Sequence, residues 1–173
     1  MKTVRWLPAI LVLLGAMLAA AQDPKPASSH VVLEEAEIHW RPAPSALSKG
    51  VEVAVLSGNP GAAGPFVMRM KMPAGYKIAP HWHPTDEHIT VLAGTFSMGM
   101  GETFDANATK PLTPGGYALM PAETRHFGWT KDGATIQLHG VGPFLIYYVN
   151  PADDPRRGET PGRRPGAPRQ VGG

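Results

Sequence analysis

The 173-residue chain contains no cysteine. That absence removes thiolate ligands, iron–sulfur clusters and disulfide staples, so a bound metal would have to be held by histidine, carboxylate and water. It is also compatible with an oxidising compartment. After the N-terminal segment no stretch keeps a helical periodicity, and there are no internal repeats. There is no Gly-x-Ser-x-Gly turn, no phosphate loop and no dinucleotide fingerprint, so the usual sequence signs of three large enzyme classes are missing. Excess charge is missing too. The 16 Lys and Arg face 14 Asp and Glu. Lys2 and Arg5 lie in a segment without acids, so its removal leaves 14 against 14, and no nucleic-acid partner is expected.

Residues 1–21 read as a signal peptide. Lys2 and Arg5 form a positive start, Leu7 to Leu18 is apolar but broken by Pro8 and Gly15, and Ala19-Ala20-Ala21 supplies small residues for cleavage before Gln22. The apolar stretch is shorter than the ~20 residues a spanning helix needs. An exported protein, periplasmic or extracellular and without a stable membrane anchor after cleavage, is the expectation. Residues 22–29 form a polar linker, residues 30–150 one domain, and residues 151–173 a Pro-, Gly- and Arg-rich tail expected to be disordered, since it has almost nothing apolar to bury.

Between linker and tail, Gly and Pro punctuate short strand-like runs: Val31–Leu33, Glu52–Ser57, Phe66–Met72, His88–Leu92, Thr95–Met100, Tyr117–Met120, Phe127–Thr130, Thr135–His139 and Leu145–Val149. Glu34–Glu37 could add a helical turn. Phe66, Met68, Met70 and Met72 alternate with Val67, Arg69 and Lys71, as a half-buried strand requires. The pattern is that of an all-β antiparallel sandwich or barrel.

The most informative stretch runs from Gly75 to Gly94. His81 and His83 lie one residue apart on extended chain and therefore point to one face. Glu87 follows a Pro-Thr-Asp turn, and His126 comes later, after Pro121. Three imidazoles and a carboxylate suit a divalent transition metal. At these residues the chain resembles the cupin superfamily. Gly75, His81, His83, Glu87 and Gly94 occupy every fixed position of the first cupin motif. Gly115, Pro121 and His126 fit the second, where Glu123 stands in place of a Gly and Thr130 in place of an Asn. The resemblance spans roughly residues 30 to 150. It implies a double-stranded β-helix, or jelly-roll barrel, holding one metal per chain through His81, His83, Glu87 and His126. Glu at position 123 carries a steric cost wherever a Gly would be free at positive φ.

Other residues carry weaker expectations. His88, beside Glu87, should face the opposite way, to the surface or an interface. Gln137 and His139 share one face of the last long strand; if that face lines the barrel they join Glu87 as candidate catalytic groups. Trp82 should face away from the ligands, and Arg125 outward. Eight methionines read as core filler rather than copper carriers. His30 and His39 lie outside the motifs. A metal on three or four protein groups keeps open positions and suits catalysis. Redox chemistry needs little beyond the metal. The resulting expectation is a mononuclear oxidoreductase using copper, iron or manganese (zinc or nickel also fit) with O2 or peroxide on a small organic, phenolic or saccharide substrate. A non-catalytic binding or sensing cupin, an isomerase and a decarboxylase are the alternatives. A homodimer is expected, with Val31–Leu33 as a candidate pairing strand.

Overall fold

A computed structural model describes residues 30–158 of the chain. The segments expected to be signal peptide and linker, and the tail beyond residue 158, lie outside the described residues. Eleven strands occur in chain order: β1 Arg41–Pro42, β2 Glu52–Ser57, β3 Gly64–Met72, β4 Lys77–Trp82, β5 Glu87–Gly94, β6 Phe96–Met100, β7 Thr109–Leu112, β8 Tyr117–Met120, β9 His126–Trp129, β10 Ala134–Gly142 and β11 Tyr147–Tyr148. All pairings are antiparallel. One sheet runs β1-β2-β3-β10-β5-β8 and the other β11-β4-β9-β6-β7. The fold is all-β, two antiparallel sheets in a cupin-like arrangement.

The alternation read in β3 is realised: Phe66, Met70 and Met72 are buried and Met68 packs against them. Ile89 and Val91 of β5, Ile136 and Leu138 of β10, and Phe96 and Met98 of β6 complete the core. Each such side chain, once buried, stabilises the fold by about 1.5–3 kcal/mol. Gly94 ends β5 at φ 72°, and a Cβ there would collide with the carbonyl oxygen of Gly133. Only glycine fits that position without moving backbone.

Several expectations require correction. Residues 31–33 form no strand; Val31, Val32 and Leu33 are exposed, and the first pairing is made by Arg41–Pro42 on β2. Among the described residues the apolar triplet has no strand partner, and β-propensity alone does not make a strand. The strand expected from Leu145 shrinks to Tyr147–Tyr148, because the carbonyl of Leu145 and that of Ile146 are taken by His83 and Arg156. The edge strands β1 and β7 escaped the reading because each contains a proline, which an edge tolerates. Order also continues past Asn150. Its side chain caps a 3-10 turn at Pro151–Asp153, and Arg156 donates to Asp154 and to the Ile146 carbonyl. The helical turn lies at Glu35–Glu37.

Candidate metal centre

His81 is on β4 and His126 on β9, and the two are direct register partners. Their ring centroids are 4.2 Å apart. His83 follows the end of β4, stacked on Phe144 with centroids 4.2 Å apart. Glu87 opens β5. All four are buried, at 4%, 5%, 2% and 6% exposure for His81, His83, His126 and Glu87. One ring nitrogen from each of the three histidines lies within 4.8 Å of the others.

The alternation of β4 is broken to achieve this. Ile78 and His81 differ in parity, yet both reach the same interior space. A register shift between them against β9 reverses the phase, as a bulge does. Pro80 sits inside that irregularity, where a missing N–H costs nothing. The turn before His126 is equally specific. Glu123 adopts φ 63°, the left-handed conformation expected where a glycine would serve. Its N–H donates to the carbonyl of His83 at 2.8 Å. The departure from the second motif therefore changes the residue and keeps the turn.

Protonation follows from geometry. Nδ1 of His81 lies 2.7 Å from the carbonyl oxygen of Ala79, Nδ1 of His83 2.7 Å from that of Leu145, and Nδ1 of His126 2.9 Å from that of Thr124. A carbonyl can only accept, so each Nδ1 carries the proton and each neutral ring offers a bare lone pair at Nε2. Burial, helped by the neighbouring imidazoles, pushes the pKa of His81 down to about 3. Burial also lowers that of His83, although Glu87 and the Leu145 carbonyl oppose it. For Glu87 burial pushes upward, but the contacts with His126 and His83 outweigh it and hold the carboxyl below its usual range. Oε2 of Glu87 is 3.1 Å from Nε2 of His126 and 3.7 Å from Nε2 of His83. Those three atoms are buried without a hydrogen-bond partner.

Converging acceptors with no donor between them cost about 1–3 kcal/mol each. A cation removes that cost for all of them together, so the residues present fit a metal, and the three carbonyls orient the imidazoles as supports of metal-bound histidines do. One side of the cluster opens to a cavity of about 330 Å³ whose lining includes His81, His83 and Glu87. A larger groove of about 500 Å³, lined by Lys77, Glu102 and Phe104 among others, touches none of the three histidines.

The other candidates lie elsewhere. Gln137 and His139 are on the outer face of β10, between inward-facing Ile136 and Leu138. Gln137 accepts from Nε of Arg69 at 3.3 Å, and His139 stacks on His88 with centroids 4.7 Å apart. They do not meet Glu87 or the cluster, because strand alternation turns their face away from the barrel. His88 also shares a 2.7 Å hydrogen bond with the Tyr117 hydroxyl. Trp82 stacks on Tyr147, and Arg125 pairs with Glu102 on the surface. His30 and His39 are exposed. The residues missed by sequence reasoning are the apolar cavity wall, among them Leu47, Val53 and Ile146. They are ordinary core-type residues, and nothing in a single sequence marks them as pocket lining.

Residues 28–144 match the family described as the ChrR Cupin-like domain. No match was found among curated proteins. Among solved structures, the polyketide cyclase RemF from Streptomyces resistomycificus superposes with a TM-score of 0.61 at 16% identity, covering 77% of this chain and 95% of that one. A candidate acetylacetone dioxygenase from Methylibium petroleiphilum gives 0.57 at 21% identity, with 76% and 88% covered. The DMSP lyase DddQ from Ruegeria pomeroyi gives 0.51 at 22% identity, with 65% and 61% covered. At these identities the likeness is one of fold, and one fold serves many chemistries.

Proposed function

The chain belongs to the ChrR cupin-like family of the cupin superfamily, and from that premise we propose an exported, mononuclear metal-dependent oxidoreductase acting on a small organic molecule with O2 or peroxide. The observation that carries the metal is the set of Nε2 lone pairs, locked by three backbone carbonyls and facing a buried carboxylate without a donor. His81, His83 and His126 would hold the ion through Nε2. Glu87 would either complete the set or stand free as a base at Oε2.

Bound there, a divalent copper, iron or manganese ion supplies a Lewis-acidic, redox-active centre. The chain's own residues do the rest. Leu145, Ala79 and Thr124 hold the three rings in one tautomer. Phe144 fixes the plane of His83 by stacking. The apolar cavity excludes water and leads a substrate to the open side of the cluster. Glu87, ionised and buried, can take a proton from a substrate hydroxyl or enol brought within reach. Among the described residues, the cavity wall offers no acid or base besides His81, His83 and Glu87, which favours chemistry centred on the metal. Export is supported by the order of positive, apolar and small residues in the first 21 positions.

Elemental analysis of the purified protein should find about one transition metal per chain. Loaded protein should consume O2 or peroxide with a phenolic reductant, and His81→Ala should abolish both. A full metal complement without turnover of either oxidant across a panel of reductants would replace the oxidoreductase by a binding cupin.

A further inference from the structure

The cavity above the histidine cluster has an uneven chemistry. Its wall is built by Val53, Met68, Leu138, Phe144 and Ile146, with Leu47 reaching in from the loop before β2. Its polar groups are gathered at one end, where His81, His83 and Glu87 stand. The remaining polar side chain, Asn59, has its Oδ1 accepting from the N–H of Gly61 at 2.8 Å. Among the described residues no lysine or arginine lines it. Three arginines have partners of their own: Arg69 bonds Gln137, Arg125 pairs with Glu102, and Arg156 pairs with Asp154 while also donating to the Ile146 carbonyl.

We infer that this site takes a mostly apolar, uncharged small molecule with a single polar end, and that it rejects saccharides and carboxylates; calling that molecule the substrate rests on the function proposed above. A sugar carries a hydroxyl on nearly every carbon. Against this wall most of them would lose water and gain no partner, at about 1–3 kcal/mol each. A carboxylate away from the cluster would be a buried charge without a cation, which costs more. An alkyl or aromatic body instead gains roughly 25 cal/mol for each Å² it buries, and its one hydroxyl or carbonyl reaches the cluster. The size agrees. At about 30 Å³ per water the 330 Å³ cavity has room for roughly eleven waters, at the small end of ligand pockets. That is the bulk of a substituted single ring.

The test uses the full-length chain, as purified and after chelation, with three probes: 4-propylphenol, glucose and glucuronate. Calorimetric titration should show 4-propylphenol bound at least tenfold more tightly than either sugar in both forms. Val55, half exposed on β2 at the cavity wall, tolerates a polar change without unfolding the core, and Val55→Asp should weaken the phenol at least fivefold with metal content unchanged. Glucose or glucuronate binding as tightly as the phenol would overturn the inference, and so would a phenol affinity untouched by Val55→Asp. Failure of the metal reading looks different. Elemental analysis would then find no bound metal, while the ranking of the probes in the chelated protein would still decide what the cavity accepts.

Discussion

Two groups of histidines sit on opposite faces of the β-structure, and the chain passes from one group to the other in a single residue. Glu87 points inward beside His81, His83 and His126, while His88 points outward and stacks on His139. Both groups bring imidazoles within 5 Å of each other, at 4.2 Å inside and 4.7 Å outside. Three physical differences separate them. The inner rings are buried, whereas the outer pair is half exposed. Each inner Nδ1 is committed to a backbone carbonyl, so every Nε2 is a bare lone pair; outside, Nδ1 of His88 meets the Tyr117 hydroxyl, which can donate or accept. The inner group also encloses a carboxylate. Proximity of histidines is thus a poor sign of a metal site, and a fixed tautomer with unpartnered lone pairs is a good one.

The sharpest way to break this contrast is to remove the inner lone pairs. A His81→Ala/His83→Ala double variant should lose bound metal almost completely. It should also lose the stabilisation that metal confers, about 4 kcal/mol at a free concentration a thousand times Kd. Elemental analysis and melting with and without metal would show it; retained occupancy would mean that other residues hold the ion. Glu87→Gln keeps the shape and removes the charge. Metal affinity should fall by roughly 10–100-fold without vanishing, as measured by competition with a chelator.

Acid should act on the inner group in the metal-free protein. His81 stays neutral in the fold down to about pH 3, whereas the unfolded chain takes up that proton near pH 6.5. The unfolded state then binds more protons, so stability falls as pH drops through that window, by about 2 kcal/mol between pH 6.5 and 5. His83, lowered in the same direction, adds to the loss. Denaturant titrations at the two pH values should show the drop, and His81→Gln should flatten it. An unchanged slope in that variant would place the titrating group elsewhere.

A smaller effect is expected at the turn that delivers His126. Glu123→Gly should stabilise the protein by up to about 1 kcal/mol, because glycine holds φ 63° without the Cβ penalty, less its larger loss of chain entropy. Thermal melting reads this, and a clear loss of stability would show that the Glu side chain has a role of its own. The outer pair should matter least. His139→Ala should leave metal content unchanged and shift stability within about 0.5 kcal/mol, the range of ordinary surface substitutions. Loss of metal in that variant would erase the distinction between the two groups.

Much of the inner group was legible before folding. The spacing of His81, His83 and Glu87, with Gly94 at the close, follows from strand alternation and tight glycine turns, which are local rules. That His126 joins them was implied by the resemblance to the cupin motifs and is realised by the pairing of β4 with β9. The alternation Phe66, Met68, Met70, Met72 likewise names a core face, and the Glu123 turn is anticipated by what a glycine position would demand. Gln137 and His139 mark the limit. Sequence shows that they share a face, but which face is inward depends on the register of β10 between β3 and β5, and Ile136 and Leu138 took it.

Local chemistry along the chain therefore determined the residue types, the strand character and the spacing of His81, His83 and Glu87. Tertiary structure decided what those residues became. The shift in β4 that turns both Ile78 and His81 inward exists only in register against β9. The carbonyl that fixes the tautomer of His83 belongs to Leu145, 62 residues away. The apolar wall that selects a ligand is assembled from loops and strands that share no pattern in sequence. Each of these depends on long-range pairing, and burial and hydrogen-bond direction, which set the chemistry of an imidazole, come into being only when that pairing is made.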